Sequence, residues 1–85
     1  IGIDNYTNTK AINVYPNPVT NELIIEIKGN TQTIQFEISN SIGQLIYKSK
    51  MIEKTVIQTS AFPSGIYFIK LENGKIIEFK KIIKE

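Results

Sequence analysis

The chain has 85 residues with a formal net charge of +2, and it contains no cysteine, histidine, tryptophan or arginine. This length is that of one small domain, and the missing cysteine excludes both disulfides and a thiolate that acts as nucleophile or ligand. Lysines are scattered among glutamates and apolar runs are short, so the composition argues against a nucleic-acid surface and against a membrane span.

The first ten residues are polar, rich in Asn and Thr, and without periodicity. Ile1, Ile3 and Tyr6 are their only large apolar side chains. We therefore predict that residues 1–10 are a linker or lead-in and that residues 11–85 form the domain. The chain begins with Ile1 rather than methionine, which is typical of a piece of a longer protein.

Segments with strand character recur along the rest of the chain, and turn signals separate them at intervals of roughly 8–12 residues. No window sustains the three- and four-residue apolar spacing of a helix. The pattern predicts an all-β fold, specifically a seven-stranded antiparallel immunoglobulin-like β-sandwich. The predicted strands are residues 11–15, 22–28, 33–39, 44–50, 54–59, 64–71 and 76–84.

Alternation within these strands predicts which side chains face the core, because successive residues of a strand point to opposite faces. The expected core is Leu23, Ile25, Ile27, Ile34, Phe36, Ile38, Ile57, Thr59, Tyr67, Ile69 and Leu71. The inward set of the fourth strand stays open, because Leu45, Ile46 and Tyr47 are consecutive. In the last strand, either Ile82 or Ile83 must face inward, and lysines at 81 and 84 are expected to be exposed charges.

The sixth predicted strand has large side chains on both faces, which indicates a central position in its sheet. It begins with Gly65, for which we expect a positive φ, and its Tyr67 is expected to send its hydroxyl back to upstream backbone, as a tyrosine does at this place in immunoglobulin-like sandwiches. Asn73 and Gly74 then predict a tight hairpin into the last strand.

Two prolines one residue apart end the first strand, in the run Pro16, Asn17 and Pro18. Proline fixes φ and lacks an N–H donor, so a strand cannot continue through this run. It therefore belongs at a sheet edge or at a crossing between sheets. A turn that blunts an edge explains the run in structural terms, and a recognition element is the alternative.

The sequence offers no chemistry for catalysis, so we predict that the domain is not an enzyme. Without His and Cys, a nucleophile and its base would have to be built from Ser, Lys and carboxylates. Asp4, Glu22 and Glu26 do not form an oxygen-ligand loop, and the glycines mark turns rather than a phosphate-binding loop. We therefore expect neither a cofactor nor a metal.

Four blocks, in order over about residues 12–85, carry a resemblance to a known family. They are the Tyr-Pro-Asn-Pro run of residues 15–18 with the apolar strand residues 23–25 that follow it, the Gly43 turn with its aliphatic strand, the Pro-x-Gly-x-Tyr element of residues 63–67, and the basic aliphatic strand of residues 80–84. Together they resemble the C-terminal sorting domains of the type IX (Por) secretion system. Asn40 and Gln44 depart from the family pattern, in which Asp and Arg are commoner.

The resemblance implies a domain that directs a larger cargo protein of a Gram-negative bacterium across the outer membrane. The cargo would pass through the periplasm and end at the cell surface or outside the cell. Implied partners are the outer-membrane translocon with its shuttle proteins and a sortase-like cysteine peptidase, which removes the domain by cleavage in or before residues 1–10. The cargo is then attached to the surface or released.

Candidate recognition residues lie in the blocks that carry this resemblance: Tyr15, Pro16, Asn17, Pro18, Gly65, Tyr67, Lys80, Lys81 and Lys84. The exposed edge of the last strand is a further candidate, since it could add to the sheet of a partner. The alternative function is an immunoglobulin- or fibronectin-like adhesion or carbohydrate-binding module, which would use exposed aromatic side chains in a row. Tyr6, Tyr15, Tyr47 and Phe68 are the candidates for such a row.

Overall fold

A computed structural model describes residues 12–74 and 77–85, and this part of the chain forms seven strands. The strands are β1 (Ile12–Tyr15), β2 (Glu22–Ile27), β3 (Ile34–Asn40), β4 (Leu45–Met51), β5 (Lys54–Gln58), β6 (Gly65–Glu72) and β7 (Ile77–Lys84). The predicted all-β class and the seven strands are confirmed, and no strand end differs from its predicted position by more than one residue. The predicted lead-in lies outside the described residues. Within those ranges, no helix is long and apolar enough to cross a membrane.

The strands form two sheets whose neighbours all pair antiparallel. One sheet has the order β1-β2-β5 and the other the order β4-β3-β6-β7. The predicted central position of β6 is confirmed, since it lies between β3 and β7. In constant-type immunoglobulin domains the fourth strand lies on the sheet of the first two, whereas here it pairs with the third.

The core lies between the two sheets and is built by the predicted alternation. Every side chain predicted to face the core is buried, including Thr59. Ile82 is the inward residue of β7, and Val19 and Met51 complete the core from the ends of the strands. A strand whose sheet has one face on a core alternates apolar and polar side chains. The predicted core faces of β2, β3 and β6 are correct for this reason.

Strand β4 contributes little to the core. Its register with β3 shifts between Ile38 and Ser39, and most of its side chains are exposed. Leu45, Ile46 and Tyr47 are all exposed, and the Tyr47 ring centroid lies 6.0 Å from that of Phe36. Pairing with β3 sets an inward row of Tyr47, Ser49 and Met51, of which only Met51 is buried, because the strand covers the margin of the sandwich.

Tyr67 confirms the predicted hydrogen bond to upstream backbone. Its side chain is buried, and its hydroxyl donates to the carbonyl oxygen of Pro63 at 2.6 Å. The ring also contacts Phe62, with centroids 5.4 Å apart. This bond fixes the connection that enters β6 against the strand itself. Gly65, between the two bonded residues, has φ of +149°, a region that side chains rarely adopt, as predicted.

We expect Tyr67→Phe to lower the free energy of unfolding by about 0.5–1.5 kcal/mol, because the Pro63 carbonyl loses its donor while the ring stays in place. Chemical denaturation measures the change. Tyr47→Phe is the matched control, since within the described residues the Tyr47 hydroxyl makes no hydrogen bond, and its loss should be within about 0.5 kcal/mol. Equal losses in the two variants would contradict the structural role of the Tyr67 hydroxyl.

Candidate recognition surface

Residues 16–19, which we call the strap, leave β1 on the three-stranded sheet and reach the outer edge of β7 on the other sheet. The Asn17 side chain bonds β7 there: its Oδ1 accepts from Ile83 N at 3.0 Å, and its Nδ2 donates to Lys81 O at 3.4 Å. The amide thus presents one acceptor and one donor to the strand edge, as the main chain of a neighbouring strand would. The predicted crossing between sheets is confirmed.

Val19 continues this contact with its main chain. Its N–H donates to Ile83 O at 2.8 Å, and its carbonyl accepts from Glu85 N at 3.0 Å. The resulting bridge between Val19 and Lys84 runs parallel, and the Val19 side chain is fully buried. The strap therefore acts as a short extra strand over the last residues of β7.

The prolines explain why an amide side chain makes half of these contacts. Pro16 and Pro18 have no N–H, so only Asn17 and Val19 can offer main-chain or side-chain donors to the β7 edge. Both prolines follow cis peptide bonds.

Just before the strap, the Tyr15 hydroxyl donates to Glu26 Oε1 at 3.2 Å. Desolvation, together with this hydrogen bond and the Glu26 charge, raises the pKa of Tyr15 above its usual value.

The structure brings three of the sequence blocks to one end of the sandwich. Val19 of the strap bridges Lys84, and Lys84 lies opposite Gly65 in the pairing of β6 with β7. Further along the same strand, Tyr67 pairs with both Ile82 of β7 and Asn40 of β3. Blocks that are far apart in sequence are thus neighbours in space.

The turn after β3 adds the fourth block to this end. The Asn40 side-chain oxygen accepts from Ile42 N at 3.1 Å and from Gln44 N at 2.9 Å, and its Nδ2 donates to Gln44 Oε1 at 2.8 Å. Gly43 has φ of +87°, which a turn of this kind requires. The two residues that depart from the family pattern are therefore bonded to each other.

The three candidate lysines of β7 differ in exposure. Lys81 is exposed on the outer row of the strand, and Lys80 is half-buried on the other row. Lys84 is only 8% exposed, and its Nζ donates to Glu85 O at 3.1 Å. The expectation that Lys84 is an exposed charge is wrong, because it occupies an inward position of the strand where the strap covers the edge. Of the three, Lys81 is the cation most freely presented to a partner.

Sequence reasoning missed two features of this region. It assigned no role to Val19, although a valine directly after the second proline has an N–H that can join a strand edge. It also missed the exposed apolar row of β7, although Ile77, Phe79, Lys81 and Ile83 alternate with the inward Ile82. Across residues 12–74 and 77–85, no three acidic side chains cluster in a way that could hold a metal ion.

We expect Asn17→Ala to detach the strap from β7 and lower the free energy of unfolding by about 0.5–1.5 kcal/mol. Amide hydrogen exchange at Ile83 should accelerate, because its N–H loses the Asn17 acceptor. Asn13→Ala is the control, since Asn13 is exposed on β1 and makes no side-chain contact within the described residues. Unchanged exchange at Ile83 would show that the amide does not hold the strap.

Comparison with known proteins agrees with this geometry. A search of curated proteins finds no match. The model of one protein family, described as Secretion system C-terminal sorting domain, matches residues 13–85, which span all seven strands and the strap apart from the first residue of β1. The chain therefore belongs to the family of secretion system C-terminal sorting domains, the sorting signals of type IX secretion.

Proposed function

We propose that this domain directs a larger cargo protein through the periplasm and across the outer membrane, where the type IX translocon and its shuttle proteins read the folded sandwich. A sorting signal of this family implies export to the cell surface or to the medium and contact with the secretion system. The finer steps, with removal of the domain by a sortase-like cysteine peptidase and attachment or release of the cargo, belong to the proposal. Cleavage would fall in or before residues 1–10, outside the described residues.

One observation carries the proposal: the blocks typical of the family meet at one end of the folded sandwich. The strap reaches β7 through Asn17 and Val19, and β7 holds Gly65 of β6 opposite Lys84. A partner that contacts this end meets residues from four separate parts of the chain at once. Such a surface exists only in the folded domain, so it reports that the domain has folded, whatever cargo precedes it.

The adhesion and carbohydrate-binding alternative gains no support from the aromatic side chains. Phe68 points outward from the four-stranded sheet, whereas Tyr47 lies opposite the inward Ile38. Tyr15 lies on the other sheet, and Tyr6 falls outside the described residues. Tyr15, Tyr47 and Phe68, the predicted members of the row that are described, therefore do not lie together on one face. The proposed function remains the sorting address.

A reporter fusion tests the proposal directly. We expect a periplasmic reporter with this chain at its C-terminus to be found at the cell surface or in the medium of a bacterium that has a type IX system. The same reporter without the chain should stay in the periplasm. Fractionation and a protease-accessibility assay measure the distribution. A folded fusion that remains in the periplasm of such a host would contradict the proposed function.

Charge reversal tests whether the secretion machinery recognises Lys81, the exposed cation of β7. We expect Lys81→Glu to reduce export of the fusion several-fold while changing the free energy of unfolding by only about 0.5 kcal/mol, because the side chain is exposed. Lys50→Glu is the matched control, since Lys50 is exposed on β4 at the opposite edge of the same sheet and its reversal changes net charge equally. Equal export by both variants would place recognition elsewhere, with residues 15–18 as the next segment to test.

A further inference from the structure

The outer edge of β7 is only partly covered. The strap bonds the main chain of Lys81, Ile83 and Glu85. Alternate residues of an antiparallel strand direct their N–H and C=O groups to the same side, so Ile77 and Phe79 present theirs outward as Ile83 does. Within the described residues, no other segment pairs with the outer side of β7 at these two positions. A free edge therefore runs from Ile77 to the N–H of Lys81, whose carbonyl is taken by Asn17.

The other three sheet edges are each protected in a way that β7 is not. β4 has a register shift against β3 and carries the lysines 48 and 50 on its outward row. β1 has four residues and ends at a proline, and β5 has five and begins with a lysine. Short edges, irregular register and charges are the features by which proteins discourage edge pairing. β7 has eight residues and a regular ladder along its whole length.

The outward row of this free edge is apolar with one cation, while Glu78 and Lys80 lie half-buried on the other row. Ile77 is 53% and Phe79 65% exposed, and both lie on the outward row with Lys81. Next to Phe79, a shallow groove of about 420 Å³ extends over the outer face towards Phe68 and the Asn40 turn. Lys70 on this face lies 3.8 Å from Glu72, whereas no acidic side chain of the described residues is bridged to Lys81. The surface thus fits apolar side chains beside a negative charge.

We propose that an extended segment of a partner protein, with alternating apolar and acidic side chains, adds to the sandwich as a strand along residues 77–81 of β7. The partner's main chain pairs with the outward groups of Ile77 and Phe79, its apolar side chains lie beside theirs, and a carboxylate lies opposite Lys81. The free edge has room for a segment of about five residues, roughly 17 Å of strand. This inference rests on the proposed function and deepens it, since it names the surface that the secretion machinery contacts.

A synthetic peptide tests the pairing without the secretion machinery. The probe is a blocked six-residue peptide of alternating valine and glutamate, added to the 85-residue chain and followed by NMR. We expect it to slow amide exchange at Ile77 and Phe79 and to produce cross-strand contacts with β7. The same peptide with lysine in place of glutamate should bind at least about fivefold more weakly, because it repels Lys81. No protection of these amides at millimolar peptide would overturn the inference, as would binding at another edge.

Proline and alanine variants distinguish the contribution of the main-chain N–H to peptide binding from that of the side chain. Phe79→Pro removes an outward N–H that makes no ladder bond, which an edge strand tolerates, and it should abolish peptide binding. Phe79→Ala removes the ring but keeps the N–H, so it should weaken binding only several-fold. Ile77→Pro, at the first position of the strand, is a second variant should Phe79→Pro unfold. A folded proline variant that binds as tightly as the parent chain would overturn the inference.

The same variants in the reporter fusion connect the edge with export. We expect folded Phe79→Pro or Ile77→Pro fusions to accumulate in the periplasm and the Phe79→Ala fusion to be exported in part. Normal export of a folded proline variant would show that the secretion machinery does not recognise this edge, while the proposed function would stand. If the parent fusion itself stays in the periplasm, the proposed function fails, and the peptide experiment alone decides whether the edge pairs.

Discussion

The contact between the strap and β7 is the constraint on which the rest of the sandwich depends. It joins the end of β1, on the three-stranded sheet, to the last strand of the four-stranded sheet through Asn17 and Val19. Between the sheets themselves the contact is made by apolar side chains, which are not directional, and the connections after β2 and β4 are hydrogen-bonded to each other through Ile27 and Asn30. The strap adds hydrogen bonds of defined geometry, and these set where one sheet lies against the other. It also buries Val19 at the point where Lys84 and Gly65 are adjacent.

The fold was predictable because the residues that determine each strand and its core face lie close together in sequence. Alternation in β2, β3 and β6 identifies the core face of each, and proline, glycine and Asn-Gly signals mark where they end. The Tyr67 hydroxyl was predictable as well, since its acceptor Pro63 is only four residues away. In each of these cases the partner of a residue is fixed by local chain geometry, and no knowledge of the other sheet is needed.

The arrangement of the candidate site was less predictable because its partners are distant in sequence. The sequence identified Asn17 as part of a motif but gave no reason for its amide to meet Ile83, which is 66 residues away. The burial of Lys84 has in part the same origin, because the strap covers the strand edge beside its inward position. The inward row of β4 was left open because it is set by pairing with β3, and consecutive apolar residues do not show which of them face the core. Residue patterns identify faces within an element, and which elements lie side by side is decided by packing between them.

The long separation between the strap and its partners also bears on when the domain becomes complete during synthesis. Contacts between residues far apart in sequence form late, because a large loop must close before they stabilise anything. A polypeptide that stops before residue 82 has the strap but lacks Ile82 and Ile83, so it has neither the last core residue nor the acceptor for Val19. A chain cut at that point would carry most of the domain's sequence without the assembled end of the sandwich.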